Sequence, residues 1–201
     1  MNEEGYNKGM RQHKFEIRDT QVIDEILKTA TIGRLGTIGN DGFPYITPVN
    51  YAYWQDAIYF HCAKEGEKLD NIRRDARVCF EIDLPLAYLD TQYDSSMPSC
   101  SVTQFYQSII IRGMAELVEE REQKVGALNA LMQAHEPCSD TTFITEDTPA
   151  VALCSVVCIK IKSLTCKANL AQKKSSREKD KIRTYLKTRN TSKDRDTAKL
   201  L

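Results

Sequence analysis

Apolar positions along the chain change their spacing several times, and the changes mark out its elements. Val22, Ile23, Ile26, Leu27 and Ala30 recur at helical spacing after Asp19 and Thr20, which can cap a helix, and Gly33 follows as a stop. A short amphipathic helix over residues 20–31 is predicted. Arg34–Ile38 and Tyr45–Tyr53 then flank Asn40-Asp41-Gly42 and read as two strands joined by a tight hairpin. Further strands are predicted at Ala57–Cys62, Arg77–Leu84, Tyr106–Val118 and Val151–Leu164. Lys68–Arg74 has room for one or two helical turns, and Glu120–His135 carries Val125, Leu128 and Met132 on one helical face before Pro137 ends it. The connection from Pro85 to Thr103 exceeds ordinary loop length and reads as a lid or a dimer-facing loop. Antiparallel strands joined by short helices argue for a closed or nearly closed barrel, because closure removes unpaired edges.

Pro44 and Pro48 fall inside the second β-run, where proline cannot donate to a ladder, so that run must be bulged or lie at an edge. Bulges cluster beside binding sites. Pro48, Val49 and Asn50 are therefore candidates for backbone turned toward a ligand, with a plain edge strand as the alternative.

The composition of the 201 residues is that of a globular domain, 41% hydrophobic and 28% charged with a mean hydropathy of −0.46, and it excludes collagen, low-complexity disorder and a coiled coil. No apolar run nears the ~20 residues of a membrane-crossing helix, and Met1–Lys14 has no apolar stretch of the kind found in secretion signals. Seven cysteines, an odd number without a C-x-x-C pair, point to reduced thiols in the cytoplasm. Charge divides the chain where composition does not. Residues 167–201 carry twelve Lys and Arg against four Asp and Glu, a net +8 that offsets −8 on residues 1–166. The expected organisation is a domain over 1–166 followed by a basic helical extension over 167–201. That extension reads as a solvated surface helix or, alternatively, as an arm for nucleic acid, for which Tyr185 is its one aromatic.

The strongest chemical signal is His61-Cys62-Ala63-Lys64-Glu65-Gly66-Glu67-Lys68-Leu69-Asp70-Asn71-Ile72. A strand ends at a small glycine-containing turn that opens directly into a helix, with lysines on both sides. Free amides at a helix N-terminus favour anions and Lys68 adds a point charge, so a phosphate fits; an ordinary strand–turn–helix with solvated lysines is the competing reading. Other chemistries do poorly. Neither a dinucleotide-binding G-x-G-x-x-G nor a P-loop is present. Three His, with His135 and Cys138 the only close His/Cys pair apart from the adjacent His61-Cys62, make a zinc site improbable. A Cys62 nucleophile served by His61 is disfavoured because neighbouring strand residues face opposite sides, although the cationic turn could lower the Cys62 pKa.

In their order and spacing, Gly33-Arg34-Leu35-Gly36-Thr37, Asp41–Tyr51, Ile58–Ile72, Arg77-Val78-Cys79-Phe80 and Tyr106–Glu116 resemble the pyridoxamine 5'-phosphate oxidase-like flavin-binding split-barrel superfamily, and most closely its nitroimidazole-resistance branch. The likeness runs from about Arg18 to Lys167. It implies a mainly β fold with short helices, a six-stranded antiparallel split β-barrel with a C-terminal helical extension. It also implies a homodimer with FMN or FAD in the dimer groove, in which Ile109 or Ile111 would need the partner's cover. By the same resemblance Lys68 grips the flavin phosphate, His61, Cys62 and Ala63 follow the phosphate and ribityl chain, Pro48, Val49 and Asn50 run under the ring system, and Gln107 and Ser108 reach the flavin from the partner subunit. The implied function is a flavin-dependent reductase of small acceptors such as nitroaromatic compounds. The alternatives are a non-catalytic flavin- or haem-binding protein, with His13, His61 or His135 as axial ligand, and a regulator. Glu65 and Glu67 stand where the oxidase has part of its arginine-rich clamp, which argues against a vitamin-processing oxidase. Asn169–Ser175 with Ile182 and Leu186 resembles a docked C-terminal helical segment of related proteins.

Overall fold

The computed structural model describes residues 11–96, 98–136 and 143–201; Pro137 and Cys138 lie outside the described residues. In chain order the elements are β1 (Glu16–Ile17), α1 (Thr20–Thr29), β2 (Ile32–Ile38), β3 (Pro44–Asn50), β4 (Ala52–Trp54), β5 (Ala57–Cys62), α2 (Glu67–Arg74), β6 (Arg77–Leu89), β7 (Thr103–Leu117), α3 (Arg121–His135), α4 (Pro149–Leu153), β8 (Ser155–Asn169), α5 (Ser176–Arg189) and α6 (Ser192–Leu200). They pack as two units: Asp24–Ile82 with Ile109–Leu164, and the described part of Met1–Ile23 with Asp83–Ser108 and Thr165–Leu201.

The strands of the sheet follow the order β3-β2-β6-β7-β8-β5-β4, with β6, β7 and β8 shared between the two units, antiparallel at every pair whose register is given. β3 and β4 are the two ends of this path, yet Tyr51 alone separates them in the chain. A single residue spans about 3.3–3.8 Å, so the sheet must curl until its edges meet. That geometry is a split barrel, and Tyr51 closes it. Its ring is buried edge-on against Phe80 at 5.3 Å between centroids, its hydroxyl donates to the Leu27 carbonyl at 2.8 Å, and its own carbonyl meets His135 Nε2 at 3.1 Å.

Among the described residues eight strands replace the six expected. The run predicted over Tyr45–Tyr53 breaks at Tyr51 into two strands, and the two-residue β1, too short to show alternation, pairs with β8 through Glu16↔Lys167 and Ile17↔Cys166. The prolines of β3 are explained by the edge, not by a bulge, since β2 and β3 pair one-to-one from Ile32↔Asn50 to Ile38↔Pro44. β6 continues five residues past its predicted end, through Pro85 to Leu89. β2 pairs with it only at Cys79, Phe80 and Glu81, so Pro85 has no β2 neighbour to deprive of a donor. The expected strand start at Val151 is helix instead, because Pro149 takes the first helical position after Thr148.

Leu35, Ile58, Phe60, Leu69, Phe80, Ile82, Ile109 and Ile111 are buried in the barrel unit. The other face of β5 is also covered: Ala57 and Tyr59 join Ala127, Leu128 and Leu131 of α3 in a second cluster. β5 therefore reads as a continuous apolar run. Gly33 is dictated by packing, because a Cβ there would stand 2.1 Å from Phe80 Cζ.

In the smaller unit the basic C-terminal segment is two packed helices. Ile182, Leu186 and Ala198 share a core with Ala87, Leu89 and Phe105. Arg189 donates to Asp194 and to Asp90, and Asp194 is fully buried while capping α6 through Thr191. Much of the segment's charge is thus engaged within the fold.

Candidate functional site

β5 stays on β8 as far as Cys62↔Ser155, and the chain then turns through Ala63–Gly66 into α2. Gly66 caps that helix with φ 132° and offers no side-chain acceptor. The requirement for glycine here is conformational, since a Cβ at Gly66 would meet no atom within 4 Å. Its carbonyl accepts from Leu69 and Asp70. Among the described residues, the amides of Glu65 to Lys68 donate to no protein acceptor, so they remain available to an anion.

What fixes this helix was not apparent in the motif. Leu69 and Ile72 are buried, and between them Asn71, also buried, donates from Nδ2 to Thr37 Oγ1 at 3.0 Å while its Oδ1 accepts from Arg74. Arg74 reaches on to the Ile38 carbonyl. A polar bridge thereby pins α2 to β2 and holds the open amides in place. The available signal was an amide side chain between two apolar positions of a short helix.

Lys68 is half-buried and lies near Cys62. The Cys62 thiol is nevertheless pushed up, because burial outweighs the opposing charges of Lys68 and Arg73 and the nearby Cys154 adds to the rise. The expectation that the cationic turn would lower this pKa is corrected. Of the other thiols, Cys79 is exposed on β6, and Cys154, inside the strand expected over Val151–Leu164, caps the end of α4 instead.

His61, Cys62, Ala63 and Lys68 are thus brought together by the β5–α2 turn, with His61 and Ala63 exposed. Pro48, Val49 and Asn50 end β3, whose chain passes through Tyr51 to β4 beside β5. Pro48 and Asn50 are exposed opposite Arg34 and Ile32. Gln107, buried, and Ser108, half-buried, lie on β7 in the smaller unit. Ile109 and Ile111 face the interior, so neither needs a partner's cover. Strand alternation instead turns Ile110 (45% exposed) and Met114 outward, and Ile32, Ile38 and Ile46 (67% exposed) lie open on β2 and β3. Among the described residues no three His, Cys, Asp or Glu are grouped to hold a metal, and no helix is long and apolar enough to cross a membrane.

The sequence profile described as pyridoxamine 5'-phosphate oxidase matches residues 19–168. No curated protein matches the chain in sequence. Among solved structures, a candidate 5-nitroimidazole antibiotic resistance protein from Bacteroides thetaiotaomicron is similar at 28% identity and a TM-score of 0.64, covering 76% of this chain and 86% of that one. An FAD and haem binding protein from Mycobacterium smegmatis shares the fold at 17% identity and a TM-score of 0.66, over 81% and 77% of the two chains. So does the flavocytochrome Anf3 from Azotobacter vinelandii, at 17% and 0.65, over 80% and 72%.

Proposed function

Because the chain belongs to the pyridoxamine 5'-phosphate oxidase family, we propose that it binds FMN or FAD at the β5–α2 turn and serves as a cytoplasmic flavin-dependent reductase of small acceptors. The observation that carries the reading is the uncapped N-terminus of α2, locked to β2 by Asn71 and flanked by Lys68. The donors fit a flavin phosphate: open amides and the half-buried Lys68 ammonium, with Lys64 exposed beside them and the carboxylates of Glu65 and Glu67 exposed to solvent. His61, Cys62 and Ala63 would line the chain next to the phosphate, and Pro48, Val49 and Asn50 would support the ring. Bound flavin supplies the redox chemistry, passing electrons from a donor such as a reduced nicotinamide to the acceptor. The protein's share is binding, orientation and electrostatics. Cys62, its thiol protonated at neutral pH, acts as a small wall and not as a nucleophile.

The similarity to the Bacteroides protein supports nitroaromatic compounds as acceptors. The open apolar positions Ile32, Ile46, Ile110 and Met114 support a homodimer, in which Gln107 and Ser108 would reach the partner's flavin. The test is an absorbance spectrum of the purified protein. Near-UV and blue flavin bands are expected. A Soret band in their place, or failure to bind either flavin on reconstitution, would overturn the reading.

A further inference from the structure

The smaller unit holds a cavity of about 170 Å³ that the flavin reading does not use. Its walls include Leu89, Phe105 and Ile182, all buried, and Tyr93, with Phe15 and Lys173 also lining it. An apolar cavity of about 150 Å³ accepts benzene, so this one has room for one six-membered ring. The charges beside it are unequal. Lys173 Nζ lies 4.8 Å from the Phe15 ring centroid and Lys167 Nζ lies 5.9 Å from it. Neither has a carboxylate partner among the described residues, and Lys173 reaches only Gln12 Oε1 at 3.5 Å. Lys174, which also lines the cavity, is already paired with Glu178 at 3.2 Å.

The side-chain amides on the lining are already engaged, Asn169 with Thr103 and Gln172 with the Ala168 carbonyl, and a ring-sized, mainly apolar space with an unpaired ammonium at its lining selects a ligand that is apolar at one end and anionic at the other. From this we propose that the unit binds a single-ring aromatic carboxylate, its ring against Phe105, Leu89 and Ile182 and its carboxylate on Lys173. The inference rests on residues of the smaller unit alone and does not depend on flavin at the β5–α2 turn.

Benzoate is the probe, titrated calorimetrically into the full-length protein as purified, with benzyl alcohol carrying the ring without the charge and acetate the charge without the ring. Benzoate should bind at least about tenfold more tightly than either. Lys173→Met should weaken benzoate about tenfold, one charge-assisted contact, and leave benzyl alcohol unchanged; Lys174→Met should change benzoate less than about twofold. Without any variant, intermolecular NOEs should join the benzoate ring to the Leu89 and Ile182 methyl groups. Equal affinity for the three probes, an unaltered benzoate affinity in Lys173→Met, or NOEs confined to other methyl groups would overturn the proposal. Displacement of benzoate by FMN would also overturn it, since the cavity would then belong to the flavin; a protein that takes benzoate but no flavin would leave it standing while removing the function proposed above.

Discussion

Asp194→Asn tests how the C-terminal helices are held. The wild-type carboxylate is fully buried; it accepts from Arg189 Nε at 2.9 Å and the Thr191 amide at 3.0 Å, and a second Arg189 nitrogen also donates to it. Removing one partner of a buried pair costs roughly 3–5 kcal/mol. Two features reduce that here. Arg189 keeps Asp90 at 2.7 Å and the Tyr88 carbonyl at 2.9 Å, and asparagine can still accept from the Thr191 amide. A loss of about 2 kcal/mol is expected, which for a chain of this size lowers Tm by roughly 4–8 °C. The effect has a pH signature. Hydrogen bonds from Arg189 hold the Asp194 carboxyl down at about 2, below its ordinary value of 3.8. A depressed carboxyl contributes stability that is present above its unfolded pKa and lost as pH falls through the folded one. The gap between wild type and Asp194→Asn should therefore be constant above pH 5 and shrink between pH 4 and about 2. Circular dichroism melts of both proteins across that range decide it. A variant within 1 °C of wild type at pH 7, or a gap that does not respond to acid, would refute the reasoning.

Gly33→Ala forces a Cβ to within 2.1 Å of the Phe80 ring, and the overpacking should cost about 3 kcal/mol in urea unfolding, partly recovered in Gly33→Ala/Phe80→Leu. Lys68→Ala should weaken FMN about tenfold to a hundredfold by fluorescence quenching, the loss of one charge-assisted contact, with Lys64→Ala doing less and the apo melt unchanged; Gly66→Val should also weaken FMN, through φ 132° and not through a clash. Because burial raises the Cys62 pKa, its alkylation by iodoacetamide, followed by peptide mass spectrometry, should be slow at pH 7 and accelerate with rising pH. Light scattering should give a dimer for the wild type, as proposed, and a monomer for Ile110→Glu, which puts a charge on the open outer position of β7.

The barrel was legible in the sequence because most of its strands have one face buried and the other open, so alternation survives, as in Leu35 against Arg34 or Phe80 against Cys79. The β5–α2 turn was legible as a turn for a different reason: a glycine stands where the apolar strand run ends and a helical spacing begins, and Gly66 takes the positive φ that this junction needs. What escaped depends on long-range partners. Nothing local to Tyr51 says that the residues before and after it belong to opposite edges of one sheet, and nothing local to Pro85 says that β2 has already ended. Asn71 looked like part of a polar motif until Thr37, thirty-four residues earlier, supplied its partner. The choice of Ile109 and Ile111 as open positions failed by one residue, and in a strand one residue is the whole difference between inside and outside.

β8 serves β1 at one end and β5 at the other, and this sets the order in which the chain can finish folding. On a ribosome adding roughly 5–20 residues per second, β5 emerges several seconds before Ser155–Asn169 exists. Throughout that interval its ladder groups on one side are unpaired, and Ile58, Tyr59 and Phe60 sit on a bare, apolar strand edge of the kind that recruits other chains. The N-terminal β1 waits for the same partner. Completion of both units is thus withheld until one late strand arrives, so nascent chains stalled before Ser155 are the species most in need of chaperone protection.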